Sequence, residues 1–174
     1  MSNRHPPPPE EQRAHRWRDF ARAAPELGSH GEALLSRRSV ALLATLRPDG
    51  SPRISPIEPY FVAGHLLVGA MSWSQKATDL RRDHRFALHS TVMDVNGSEG
   101  EFQIFGEAEL VVDEQLRHAA DAAWWVSQPS RAADVYSLCV RRAVCVAWDL
   151  ECGEMIVQDW SSTDGTSERR RSYP

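Results

Sequence analysis

The stretch Leu42-Leu43-Ala44-Thr45-Leu46-Arg47-Pro48-Asp49-Gly50-Ser51-Pro52-Arg53-Ile54-Ser55-Pro56-Ile57 decides the fold. Ser39 to Arg47 is an almost continuous apolar run, which predicts a strand buried on both faces. Pro48-Asp49-Gly50-Ser51 is a turn signal between two strands. The second strand is expected over Pro52 to Tyr60, with Arg53, Ser55 and Ile57 on one face. Pro56 and Pro59 within it imply an edge or a bend, because proline gives no N–H to a ladder. Ala63-Gly64-His65 reads as a tight turn into a strand over Leu66 to Met71.

A helix follows directly. In Met71-Ser72-Trp73-Ser74-Gln75-Lys76, Ser72 and Gln75 have the spacing of a capping box. Ala77, Leu80 and Trp73 are expected to face inward, and Arg81-Arg82-Asp83 close the helix. Lys76 is the only lysine among 20 basic residues; the rest are arginine. A helix start presents unpaired N–H groups and the positive end of a dipole, which attract phosphate. A flexible ammonium beside that end adds a point charge for the same anion.

Outward from this region, residues 1–10 read as a disordered, proline-rich arm. Residues 11–24 have Trp17, Phe20 and Ala21 at helical spacing, and Glu26 to Arg37 predicts a second helix with Leu27, Leu34 and Leu35 turned in. Beyond the central helix, Phe86 to Val92 predicts a strand and Asp94 to Gly100 a loop. Glu101 to Val112 alternates polar and apolar residues as a half-buried strand does. Asp113 is placed to cap a helix running through Trp125. Ser137 to Trp148 and Glu154 to Trp160 complete the strands, and residues 161–174 form a polar tail. The expected fold is mainly β with flanking helices (α+β), a small antiparallel barrel in one domain over 11–160.

Composition narrows the function classes. The length of 174 residues suits one domain with a core, and a net charge of −4 argues against a polyanion or nucleic-acid binder. Cys139, Cys145 and Cys152 include no CxxC pair, which points away from a disulfide framework and toward a reducing, cytoplasmic setting. Cys139 and Cys145, six apart, are expected on one face as inert thiols. No apolar run approaches a membrane span, and His5 to Pro9 lacks a signal-peptide pattern. The sequence offers no metal-ligand spacing, no Ser/His/Asp constellation and no paired-carboxylate site. Redox chemistry in a cofactor is compatible with that lack, since the protein then supplies position and electrostatics.

Taken together, the A-T-L strand end at Ala44 to Leu46, the D-G-S-P turn at Asp49 to Pro52, Arg53-x-Ser55-Pro56, and the later Lys76-x-x-Asp79-Leu80-Arg81-Arg82-Asp83 resemble the pyridoxamine 5'-phosphate oxidase-like superfamily. That superfamily consists of flavin- and deazaflavin-binding split barrels. The resemblance is close over about residues 40–90 and extends loosely to Glu101-Phe102, Gly106 and Ala108. It implies an antiparallel split β-barrel and a homodimer with cofactor sites at the subunit interface. It implies that Lys76, Ser72, Ser74 and Arg53 hold the cofactor's phosphate, with Gln75 in the same loop. Ser55 is placed to reach the ring or its side chain, and Trp73 to stack on the ring. Ile57-Glu58-Pro59 and Gln75 stand where the oxidases carry further basic residues. The resemblance therefore favours the deazaflavin (coenzyme F420) reductases, with flavin mononucleotide (FMN) second, and hydride transfer to an unsaturated small organic substrate. The alternatives are an FMN-dependent pyridoxamine or pyridoxine phosphate oxidase, or a flavin- or haem-binding protein without turnover. Arg81, Arg82 and Arg85 are candidates for a deazaflavin's acidic tail. Asp94 to Gly100 and the N-terminal helices are candidates to shape the substrate pocket. Ser137 to Trp148 is apolar on both faces and six Trp are many for a small barrel, so one face is expected to pack on a partner.

Overall fold

Asp49 makes the Pro48–Ser51 turn: its Oδ1 accepts from the Ser51 N–H at 2.9 Å and the Ser51 hydroxyl at 2.7 Å, and Gly50 takes a φ of 82°. The turn sets the register of the first hairpin in a computed structural model that describes residues 14–94, 98–124 and 133–172. The elements run α1 (Trp17–Ala23), α2 (Pro25–Ser36), β1 (Ala41–Leu46), β2 (Pro52–Ile57), β3 (Pro59–Val62), β4 (His65–Met71), α3 (Gln75–Arg82), β5 (Arg85–Ser90), β6 (Glu101–Leu110), α4 (Glu114–Ala123), β7 (Ala133–Asp149), β8 (Glu154–Ser161) and β9 (Gly165–Ser172). The proline-rich arm and Trp125 lie outside the described residues.

The sheet order is β2-β1-β5-β6-β7-β4-β3, all antiparallel, with β8 and β9 continuing from β7. β2 and β3 end this path yet are separated in sequence by Glu58 alone. The sheet therefore curls until its ends meet, and chain rather than a ladder joins them: a split barrel. The expected strand over Pro52 to Tyr60 is thus two strands in different pairings, broken between Pro56 and Pro59. β1 also differs from expectation. Ala41, Leu43 and Thr45 are buried, whereas Leu42 on the other face is 41% exposed.

The main core fills the barrel with Leu43, Leu66, Val68, Leu80, Leu88, Ile104, Tyr136 and Leu138. Trp17 and Phe20 of α1 cover its end, with Trp17 4.8 Å from Phe61 and Phe20 4.9 Å from Trp160 between ring centroids. Asp113 caps α4 as expected, accepting from Gln115 and Leu116 N–H. α4 closes a smaller core of Leu67, Val111, Ala120, Trp124 and Val135 on the outer side of the sheet.

Two further expectations change. The ladder between β6 and β7 shifts between Phe105 and Gly106, where Phe105 faces Arg142 and Gly106 faces Val140. The extra residue, Arg141, reverses the alternation. Cys145 therefore joins the main core, while Cys139 is buried on the opposite face. Burial first of all, with Glu109 nearby for Cys139 and Glu101 for Cys145, pushes the two thiols up to about 12 and about 11. The polar tail is exposed but regular: β9 pairs with β8 from Ser161–Gly165 to Glu154–Ser172.

Candidate cofactor site

Ser74, not Ser72, caps α3. Its hydroxyl oxygen accepts from the Ala77 N–H at 3.3 Å, and the chain turns through a Ser74 N–H to Met71 carbonyl bond of 2.8 Å. The Ser72 hydroxyl instead donates to Asp134 at 2.7 Å. Asp134, at the start of β7, also accepts from Arg81 and from Tyr136, while Arg81 donates to the Ser72 carbonyl at 2.8 Å. These bonds pin the Ser72–Ser74 loop to β7. With Ser74 satisfying Ala77, the backbone N–H groups of Gln75 and Lys76 have no acceptor among the described residues. Free N–H groups at a helix start suit an anion chemically.

The Lys76 ammonium is half-buried and reaches from α3 to β2, donating to the Pro56 carbonyl at 2.8 Å. That uses one of its three N–H donors. Burial lowers its pKa below the ordinary lysine value, as expected for a cation without a counter-charge.

Arg53 lies opposite Thr45 in the β1–β2 hairpin, so both side chains emerge on the face under α3. There Arg53 Nε donates to Asp79 Oδ2 at 2.7 Å and the Thr45 hydroxyl donates to the same oxygen at 3.0 Å. Arg82 donates to Asp79 Oδ1 at 3.4 Å. Burial works against the Asp79 charge, but the Arg53 and Thr45 bonds, the Arg53 charge and the Arg82 bond hold its carboxyl below the usual range. Arg53 is therefore anchored, with its two terminal nitrogens lacking an acceptor among the described residues.

Lys76, Arg53 and the α3 N-terminus thus gather where β2 meets α3. Ser55 shares Arg53's face, opposite Leu43. Gln75 projects its side chain to solvent. Trp73 is 77% exposed and does not face inward as expected; the loop turns it out beside the helix start. Arg81, Arg82 and Arg85 are paired with Asp134, Asp79 and Asp83. Sequence reasoning missed Asp79 and Asp134. Asp79 is buried in α3 along with Ala77 and Leu80, yet it lies off the helix face those two share, so helical spacing gives no signal for it.

Across β2, on the outer face, a groove of about 400 Å³ is lined by Leu42, Ala44, Ile54, Val92 and Phe105, with His89, Glu101 and Gln103 as its polar groups. His89 Nε2 lies 3.2 Å from Glu101, and Nδ1 lies 2.5 Å from the Ser90 carbonyl. α1 and α2 do not line this groove: Trp17, Phe20, Leu27 and Leu35 are spent on the barrel core.

The fold defines the class as an antiparallel split barrel, with Lys76, Arg53 and the α3 N-terminus offering donors that have no acceptor among the described residues. The match of residues 29–143 to the pyridoxamine 5'-phosphate oxidase family model covers more than half of the chain. The chain belongs to that family. No curated protein matches it by sequence. Among solved structures it is similar to a pyridoxamine 5'-phosphate oxidase-related, FMN binding protein from Nostoc punctiforme PCC 73102, with a TM-score of 0.59 and 16% identity over 90% of this chain and 96% of that one. PhzG from Burkholderia lata 383, in complex with tetrahydrophenazine-1-carboxylic acid, aligns with a TM-score of 0.57 and 17% identity over 88% and 92%. A heme binding protein from Mycobacterium smegmatis aligns with a TM-score of 0.55 and 15% identity over 83% and 88%. At these identities the likeness is one of fold. No helix among the described residues is long and apolar enough to cross a membrane.

Proposed function

We propose that the chain is a flavin-type oxidoreductase, holding the cofactor's phosphate at the α3 N-terminus and transferring hydride to or from an unsaturated small organic substrate. The observation that carries this reading is the Lys76 ammonium, half-buried against a single carbonyl, beside the acceptorless N–H groups of Gln75 and Lys76. A phosphate supplies the missing negative charge and the missing acceptors. Arg53 offers its terminal nitrogens from β2, and Ser55 a hydroxyl on the same face. Trp73 offers an exposed indole at the lip for stacking on a ring.

When bound, the cofactor's ring supplies the hydride chemistry. The protein's part is to fix the phosphate end, to give the ring an apolar bed that excludes water, and to orient the substrate. FMN is the first choice. A deazaflavin's acidic tail needs free arginines, and Arg81, Arg82 and Arg85 each have a carboxylate partner. Family membership and the FMN binding relative point the same way. The deazaflavin is second.

The reading includes a homodimer. The outer face of β2, β1 and β5 leaves Ile54 69% exposed, with Leu42 and Val92 beside it around the groove. A second copy covering that face would bury this patch and close the cofactor between subunits. The test is titration of the apo-protein with FMN and with the deazaflavin, followed by a screen for oxidation of the reduced cofactor by unsaturated acceptors. Absorbance of the loaded protein separates a flavin from a haem protein.

A further inference from the structure

We propose that Asp79 is a positioning residue of the phosphate cradle, acting through Arg53; the inference rests on the phosphate-binding reading above. Asp79 is 1% exposed. Taking a carboxylate out of water is costly, and apolar replacement of buried ion pairs is often neutral or stabilising, so stability alone does not require it. Its donors come from three elements: Thr45 of β1 at 3.0 Å, Arg53 of β2 at 2.7 Å, and Arg82 of α3 itself at 3.4 Å. Thr45 and Arg53 are directly opposite in the hairpin, so the turn at Asp49 and Gly50 delivers both to one carboxylate oxygen.

The manner of the Arg53 bond is the telling detail. An end-on, bidentate pair would occupy the terminal nitrogens that recognise phosphate. Asp79 takes Nε instead, and the terminal pair has no acceptor among the described residues. Lys76 precedes Asp79 by one helical turn, and its ammonium is tied to Pro56 on the same strand as Arg53. α3 thus presents the ammonium from its first turn and the anchor for the guanidinium from its second. Fixing the guanidinium lowers the ordering cost that a long side chain would otherwise incur when the anion binds.

Asp79 also carries a negative charge, which opposes an anion at long range. The two effects separate by salt, because at about 1 M the screening length is about 3 Å. Direct contacts of an anchored guanidinium survive that condition and the long-range field does not.

FMN and riboflavin share the ring system and differ in the phosphate. At about 1 M salt, Asp79→Asn is expected to weaken FMN binding by about 5- to 30-fold. Riboflavin should stay within about twofold of wild type. In an Arg53→Ala background, Asp79→Asn should add no further loss. Three results overturn the inference: unchanged or tighter FMN binding, an equal loss for riboflavin, or the same loss without Arg53. If Asp79→Asn does not fold, Thr45→Val carries the test, because it keeps the carboxylate and removes one of its bonds. An FMN-specific loss of about 2- to 5-fold is then expected, and none overturns the proposal. A wild type that does not prefer FMN to riboflavin removes the phosphate reading and this inference with it. A wild type that prefers FMN beside an indifferent Asp79→Asn removes the inference alone.

Discussion

Lys76→Met isolates the charge at the centre of the cradle. Methionine keeps most of the aliphatic stem and its packing while removing the ammonium. The native Nζ donates to Pro56 at 2.8 Å and has two N–H groups left for a ligand. A charge-assisted hydrogen bond is worth about 1.5–3 kcal/mol, so FMN affinity should fall about 10- to 150-fold. The cost to the fold should be small. The lost bond is to an exposed carbonyl, and the half-buried charge that disappears was itself disfavoured by burial. Unfolding temperature should stay within about 3 °C of wild type. Calorimetric titration with FMN reads the loss, and riboflavin, lacking the phosphate, should bind both proteins alike. Burial lowers the Lys76 pKa, so in the free protein the ammonium is lost at a lower pH than an exposed lysine's. The advantage of wild type over the variant should therefore narrow as pH rises into the alkaline range. Equal FMN affinities, or a riboflavin loss matching the FMN loss, would refute the assignment of Lys76 to the phosphate.

Other consequences follow from the same structure. A Cβ at Gly106 would stand 1.9 Å from the Cys139 carbonyl oxygen. Both sides of that clash are backbone, so Gly106→Ala should cost about 3 kcal/mol and lower the melting temperature by about 6–12 °C; a change under about 2 °C contradicts the bulge geometry. Asp79 has a folded pKa below its unfolded value of about 3.9, so it stabilises the protein above that pH and loses the contribution as pH falls through the folded value. Acid melts should show a steeper stability loss below pH ~4 for wild type than for Asp79→Asn, and parallel curves count against the pairing. Light scattering should give twice the chain mass of 19.6 kDa for wild type and the single mass for Ile54→Asp, which places a charge on the apolar outer face. Pyridoxamine 5'-phosphate should not be oxidised at a significant rate, because the proposed cofactor would occupy the Arg53–Lys76 site and Glu58 stands on the β2–β3 link; robust peroxide release with FMN bound would place the chain among the oxidases proper.

The first hairpin was legible because its determinants are local: Asp49 and Gly50 form the turn, and the turn sets the register that delivers Arg53. The α3 cap was misplaced by two residues. Ser72 and Ser74 both suit a cap, and the choice was made by Asp134, which takes the Ser72 hydroxyl from a strand distant in sequence. Arg53's partner was hidden for the same reason, since Asp79 meets it only once α3 lies across β1. Cys139 and Cys145 were put on opposite faces by one extra residue in β7. Its trace in sequence is Gly106, which admits the close backbone approach. Strand β9 did leave a signal. Asp164-Gly165 is a hairpin turn, with Gly165 at a φ of 73°, but the arginines that follow hide the strand from any reading based on hydrophobic alternation.

Titrating the wild-type apo-protein with FMN and with riboflavin under identical conditions asks whether the α3 N-terminus with Lys76 and Arg53 holds a phosphate. FMN should bind tighter by at least about tenfold, equivalent to about 1.4 kcal/mol from the phosphate alone. Equal affinities for the two ligands, or tighter binding of riboflavin, would contradict it.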